Sequence, residues 1–367
     1  MTGSAHTPEG LLRPEVLALS AYHVPDSKGF VKLDAMENPY AWPSDMVDAW
    51  LERLRSAEPN RYPDPACKRL KAALAEANGV PAEAGLLLGN GSDEIIQIIL
   101  MALKAGSTVM APEPTFVMYR QISASLGLPF VGVPLRAEDF DLDIDAFCAA
   151  IEAHQPAAIF LAYPNNPTGN LFDDAAICRV LAVAPGLVVV DEAYAPYADA
   201  SFMARVGEFP NLLVMRTLSK LGLAGLRLGF AAGPKAWIGQ LDKIRLPYNI
   251  NVLTQLSAEF ALEYQEIFDE QVRCLRRDRQ WMAEELERLE GVRIYGSRAN
   301  FILFRLLGND AQEVFGTLKA AGILVKNLHP AGGLLSNCLR VTVGTPEENR
   351  LFLAALSTAL NPRSDAP

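Results

Sequence analysis

Between about residues 85 and 235 the chain alternates short apolar runs with amphipathic stretches. The runs Leu86–Leu88, Thr108–Ala111, Phe130–Leu135, Ala158–Ala162, Leu187–Val190, Leu212–Arg216 and Gly229–Ala232 read as strands. Several are apolar throughout instead of alternating, the pattern of a strand covered on both faces. Asp93–Leu103, Thr115–Leu126, Asp143–Ala153 and Asp173–Val183 carry helical spacing. Such regular alternation predicts a doubly wound α/β layer around a mostly parallel sheet.

The two ends differ from this middle. Residues 1–40 are irregular and rich in turn residues, and Leu253 to Leu289 reads as one long charged helical region with a solvated face. Arg293–Tyr295, Asn300–Arg305, Ile323–Lys326 and Leu339–Val343 then read as strands, and Ala311–Ala320 and Pro346–Leu360 as helices. The last helix opens on Thr345-Pro346-Glu347-Glu348, which combines an N-cap, a proline at the first position and a capping-box glutamate. The expected division is an arm over 1–44 that packs with the small domain, a large domain over 45–252, and a smaller α+β domain over 253–367.

Composition narrows the function. Half of the 367 residues are hydrophobic and 21% are charged, enough for a large core and unlike a disordered chain. The net charge of −10 argues against a reader of phosphate backbones. The five cysteines form no CxxC pair and the four histidines have no metal spacing, so reduced thiols and no metal are expected. The apolar stretch near Ile95–Leu103 carries Gln97 and stops at Lys104, too short for a membrane span, and the N-terminus has no apolar signal core. A cytoplasmic enzyme for small molecules is the expectation, with neither nucleic acid nor membrane as partner.

Four motifs carry candidate chemistry. In Leu88-Gly89-Asn90-Gly91-Ser92-Asp93-Glu94 a strand turns into a helix whose free N–H groups can hold a phosphate; an ordinary capped turn explains it as well. A dinucleotide loop would want glycine where Glu94 stands. Tyr163-Pro164-Asn165-Asn166-Pro167-Thr168-Gly169 is a rigid turn at a strand's C-terminal end, where ligands of open α/β sheets sit, and turn geometry leaves its paired asparagines unexplained. Asp191, straight after the apolar run Val188–Val190, is costly to desolvate unless a cation or donor meets it, although a capping aspartate is the common alternative. Thr217-Leu218-Ser219-Lys220 followed by Arg227 sets an anion site beside an amine, and desolvation would make that amine nucleophilic. Together they describe one ligand with a phosphate (Ser92, Ser219, Arg227), an aldehyde (Lys220) and a basic ring nitrogen (Asp191). Pyridoxal phosphate has all three.

On these motifs the chain resembles the fold-type I pyridoxal-phosphate aminotransferases, with an aspartate-aminotransferase-like large domain, and within them the histidinol-phosphate branch. The resemblance runs from Lys32-Leu33-Asp34-Ala35-Met36-Glu37-Asn38-Pro39, through Arg61-Tyr62-Pro63-Asp64-Pro65 and Gly89–Glu94, to Leu339-Arg340-Val341-Thr342-Val343-Gly344-Thr345. It implies that Lys220 carries the cofactor covalently, that Asp191 pairs with the ring nitrogen, and that Asn166 and Tyr194 meet the phenolic oxygen. It also implies a phosphate site of Gly91, Ser92, Asp93, Thr217, Ser219 and Arg227, with Phe116 stacked on the ring. Tyr62 would reach the neighbouring subunit's phosphate, hence a homodimer with shared sites. Arg340 and Lys326 would bind the substrate's anionic end, and Tyr22 and Asn38 would line the pocket. The implied reaction is amino transfer between histidinol phosphate and 2-oxoglutarate in histidine biosynthesis. An aminotransferase of aromatic amino acids and a lyase of a phosphorylated amino acid are the alternatives. Two departures sit near the substrate: Met36 replaces an asparagine, and Lys326 replaces an arginine and so loses its two-pronged grip.

Overall fold

The computed structural model describes residues 7–21 and 26–361. Its centre is a seven-stranded sheet of β2 (Ala84–Gly89), β3 (Val109–Glu113), β4 (Phe130–Pro134), β5 (Ala158–Ala162), β6 (Leu187–Asp191), β7 (Leu212–Thr217) and β8 (Gly229–Pro234), in the order β2-β8-β7-β6-β5-β3-β4. All neighbours pair in parallel except at β8, which is antiparallel to both β2 and β7. The mostly parallel α/β sheet expected from the apolar runs is therefore present. β5 and the apolar part of β6 are buried at every position because both faces are covered. Ile159, Leu161, Val188 and Val190 enter one core cluster, whereas Phe160, Val189, Leu213 and Met215 enter a second on the opposite face.

Helices α3 (Ser44–Leu54), α4 (Lys68–Ala77), α5 (Ser92–Met101), α6 (Met118–Ser125), α7 (Ile144–His154), α8 (Asp174–Val183), α9 (Lys235–Leu241) and α10 (Val252–Glu263) accompany this sheet; the short α1 (Pro8–Leu11) and α2 (Pro14–Leu17) precede them. Asp143 and Asp173 cap α7 and α8 by accepting backbone N–H bonds, and Asn251 does the same for α10. At α5 the preceding Gly91 has φ of 80°, no side chain caps the helix, and Ser92 and Asp93 of its first turn line the cavity described below.

A second core lies between α11 (Gln265–Glu287), α12 (Ala311–Ala320), α13 (Pro346–Leu360) and a four-stranded antiparallel sheet, β12 (Lys326–Asn327)-β13 (Cys338–Thr342)-β10 (Phe301–Leu306)-β9 (Val292–Ile294). The arm joins this unit: β1 (Val31–Lys32) pairs in parallel with β11 (Ile323–Leu324). Two boundaries differ from the sequence reading. The region 253–289, expected as one helical stretch, is two helices that meet at Tyr264, and α10 packs on α3 and α4. The helix expected from Thr115 starts at Met118, which leaves Thr115 and Phe116 in a loop.

Candidate active site

The site forms where the sheet's strands deliver their C-terminal ends. β6 ends on Asp191, β7 on Thr217, and the loops after β3 and β5 bring Phe116 and Asn166 to the same edge. Because β8 runs antiparallel, its first residue, Gly229, lies opposite both Thr217 and Gly89. One cavity is lined by Ser92, Asp93, Phe116, Asn166, Asp191, Tyr194, Thr217, Ser219, Lys220 and Arg227, and closed by Ala35, Met36 and Glu37 of the arm.

At its floor Asp191 is buried, and its carboxylate accepts from the Tyr119 hydroxyl (2.6 Å, Oδ2) and the Ala193 N–H (3.1 Å, Oδ1). Desolvation pushes its pKa up to about 7, against the lowering effect of these two donors. A buried carboxylate held only by neutral donors suits a cationic ligand group, which would return it to full ionisation. Lys220 lies above. Burial, then the nearby Arg340, pull its pKa down to about 8, and its Nζ donates to the Ala35 carbonyl at 3.3 Å.

The far corner gathers hydrogen-bond donors. Arg227 donates to Ser219 Oγ at 3.3 Å and lies 3.6 Å from Asp93, and the Thr217 and Ser219 hydroxyls are 2.9 Å apart. A Cβ on Gly91 would fall 2.7 Å from Arg227 Nη2, so a glycine there lets the guanidinium lie against the start of α5. Helix N–H groups, two hydroxyls and a guanidinium are the donor set of a phosphate site. Glu94, in the place a dinucleotide loop gives to glycine, instead locks this turn: its carboxylate accepts from the Asn90 N–H (2.7 Å) and Asn249 Nδ2 (2.9 Å).

Opposite, Arg340 is buried and gripped from two sides, Nη1 donating to Asn166 Oδ1 and Nη2 to the Asp34 carbonyl at 2.9 Å. The paired asparagines thus divide their work. Asn166 serves the cavity, and Asn165 ties the turn, accepting from Thr115 (2.7 Å) and donating to the Pro114 carbonyl (3.0 Å).

Several of the expected residues do not line this cavity, Arg340 among them. Asn38 does not line the cavity; its amide is spent on Leu221 and Gln271 behind the lysine turn. Lys326 is half-buried on the strand beside Arg340, outside the lining, with its pKa lowered by burial and then by Arg340. Tyr62 stands on the surface at 80% exposure, stacked on Tyr248. Tyr22 falls outside the described residues. Tyr119 was not singled out from the sequence; its spacing of three after Phe116, on the first turn of α6, is the signal that places it under Asp191.

Fold and cavity together define a pyridoxal-phosphate enzyme of the aminotransferase type: the donors fit the cofactor's phosphate, the buried acid its ring nitrogen, and the amine its aldehyde. The chain belongs to the aminotransferase class I and II family, whose model matches residues 28–356. It is 54% identical to histidinol-phosphate aminotransferase 2 of Nitrosococcus oceani, over 94% of this chain and 96% of that one. With histidinol-phosphate aminotransferase 2 of Cupriavidus pinatubonensis it shares 53% identity, over 96% and 97%. The solved histidinol-phosphate aminotransferase of Sinorhizobium meliloti in complex with pyridoxal-5'-phosphate has the same fold, with a TM-score of 0.83 at 24% identity over 96% of this chain and 98% of that one. Among the described residues no helix is long and apolar enough to cross a membrane.

Proposed function

We propose that the chain transfers an amino group between histidinol phosphate and 2-oxoglutarate, giving imidazole-acetol phosphate and L-glutamate, and that it works as a cytoplasmic homodimer. One observation carries the reading: a desolvated amine (Lys220), a buried acid (Asp191) and an anion corner (Ser92, Ser219, Arg227) line one cavity, with a buried guanidinium (Arg340) behind its wall, donating to Asn166. The names of the most similar relatives support the choice of substrate.

Pyridoxal phosphate, when bound, supplies the electron sink that loosens the substrate's Cα–H bond. The residues do the rest. Gly91 gives Arg227 room, while Ser92, Asp93, Thr217, Ser219 and Arg227 would hold the phosphate. Asp191, whose ionised form the Tyr119 hydroxyl and the Ala193 N–H favour, would hold a proton on the ring nitrogen. Asn166, Tyr194 and Phe116, which line the same cavity, would hold the ring in place. Lys220, its pKa pulled down to about 8 by burial and by Arg340, would act as base toward the substrate's Cα proton and then as acid. Arg340 binds a phosphate in one half-reaction and a carboxylate in the other, with its fork already set by Asn166 and the Asp34 carbonyl. The arm excludes water from above.

Lys220→Ala tests the assignment: the variant folds, loses turnover and loses the visible band of the wild-type protein. Near-normal activity in that variant overturns it. Glutamate formation from 2-oxoglutarate with histidinol phosphate, compared with phenylalanine, separates the histidinol-phosphate reading from an aromatic aminotransferase. Carbon dioxide released from a phosphorylated amino acid without an acceptor would instead mark a lyase.

A further inference from the structure

The turn that carries Lys220 has little to hold it from within. Ser219–Leu223 is a short non-α helical turn with no side-chain cap, and Gly222 inside it adopts φ of 124°. Its backbone carbonyls are taken from outside. Tyr197, fully buried, donates its hydroxyl to the Lys220 carbonyl at 2.7 Å. Asn38 donates from Nδ2 to the Leu221 carbonyl at 3.0 Å and to Gln271 Oε1 at 2.8 Å, while its Oδ1 accepts from the Tyr40 N–H at 3.0 Å. A Cβ at Gly222 would lie 3.0 Å from Asn38 Nδ2, so the glycine leaves the amide room to reach the turn.

We infer that Asn38 is a positioning residue for Lys220, a clasp through which the N-terminal arm and helix α11 together fix the turn bearing the reactive amine. The clasp has a mechanical context. The arm is stitched to the small domain, with the Leu33 N–H donating to the Leu324 carbonyl (2.8 Å), the Thr342 N–H to the Leu33 carbonyl (2.8 Å), and the Met36 N–H to Thr342 Oγ1 (3.0 Å). The same arm meets the lysine's other end, where Nζ donates to the Ala35 carbonyl at 3.3 Å. One segment therefore touches both the amine and the backbone that presents it, and its seat on the small domain is transmitted to the reacting group. Side chains that orient a reactive residue act through geometry, and small misplacements of such a group are costly.

The inference rests on Lys220 being the residue that carries the cofactor and moves the proton. Asn38→Asp keeps the shape and removes both donors; Gln271→Leu removes one acceptor; Gln271→Glu keeps it. Hydrogen exchange on the cofactor-free protein is the first readout. Peptides covering 218–224 exchange faster in Asn38→Asp and Gln271→Leu, while those of β5 and β6 stay at the wild-type rate. In the loaded enzyme kcat falls by roughly ten- to a hundredfold in Asn38→Asp, with KM held within about twofold. Gln271→Glu keeps wild-type exchange in the turn. Unchanged exchange with unchanged kcat overturns the inference, and so does a raised KM with intact kcat, which would make Asn38 a substrate contact. If Asn38→Asp fails to fold, Gln271→Leu decides by the same readouts. Borohydride reduction and peptide mapping of the loaded protein separate the two levels: cofactor fixed on a lysine other than 220 refutes the site reading, whereas the exchange result judges the clasp by itself.

Discussion

Tyr119 and Asp191 define the chemistry of the floor. The tyrosine is wholly buried, its ring stacked on Phe160 with centroids 4.7 Å apart, and its hydroxyl has one acid to serve. A hydrogen bond to the ionised form favours that form, so this bond works against the desolvation that lifts the acid's pKa. Removing it should lift the pKa further. In Tyr119→Phe the acid limb of the kcat/KM profile moves to higher pH, because more of Asp191 is protonated at any given pH and a protonated acid no longer holds charge opposite the ring nitrogen. At neutral pH kcat/KM falls by about tenfold, the equivalent of ~1.4 kcal/mol for a lost bond to a charged group. A pH–rate profile of wild type and variant checks both; an unmoved acid limb removes Tyr119 from the account of Asp191.

Elements differ in how openly the sequence declares them, and the reasons are physical. β5 and β6 are legible because burial on both faces demands uninterrupted apolar runs, and α13 because Thr345 and Glu348 form the capping box its sequence announces. The helices α3 and α4 carry no such mark: neither has a side-chain cap, and α4 is entered from Cys67 at φ of 48°. The break at Tyr264 is silent too, since Glu263-Tyr264-Gln265 contains neither glycine nor proline, and tertiary packing on α3 and α4 decides where α10 stops. In the site, charge beside apolar runs marks Lys220, Asp191 and Arg227, which the fold brings to one cavity, while the contacts of Asn38 carry no such mark, because its partners Leu221 and Gln271 lie far along the chain. The uncapped α5 opens on the cavity through Ser92 and Asp93, and β8 holds it in place. A Cβ on Gly229 would come within 2.8 Å of both Gly91 C and Ser92 N, backbone atoms that cannot swing aside. Gly229→Ala should displace the helix start and weaken cofactor affinity by about tenfold or more, ~1.4 kcal/mol, as measured by titrating cofactor-free protein. Gly225→Ala, whose Cβ would meet nothing within 4 Å, serves as the control.

At the scale of the whole molecule the question is where Tyr62 does its work. It is 80% exposed and stacked on Tyr248, with ring centroids 4.3 Å apart, on a stretch where Leu246 (70%) and Leu253 (47%) are also exposed. A rigid aromatic pair among exposed leucines is the composition of an interface core more than of a solvated surface. Within its own chain Tyr62 is no part of the cavity lining. If a second copy docks on this face by two-fold symmetry, each Tyr62 is lent to the other subunit's phosphate corner and each cavity is completed by its neighbour. Subunit mixing tests this directly. Lys220→Ala and Tyr62→Ala each lower activity alone. In a mixed dimer of the two, one cavity carries both defects and the other carries neither, so random reassortment at equal amounts should restore about a quarter of wild-type activity. If Tyr62 acts inside its own chain, every cavity in the mixture keeps one defect, and mixing restores nothing.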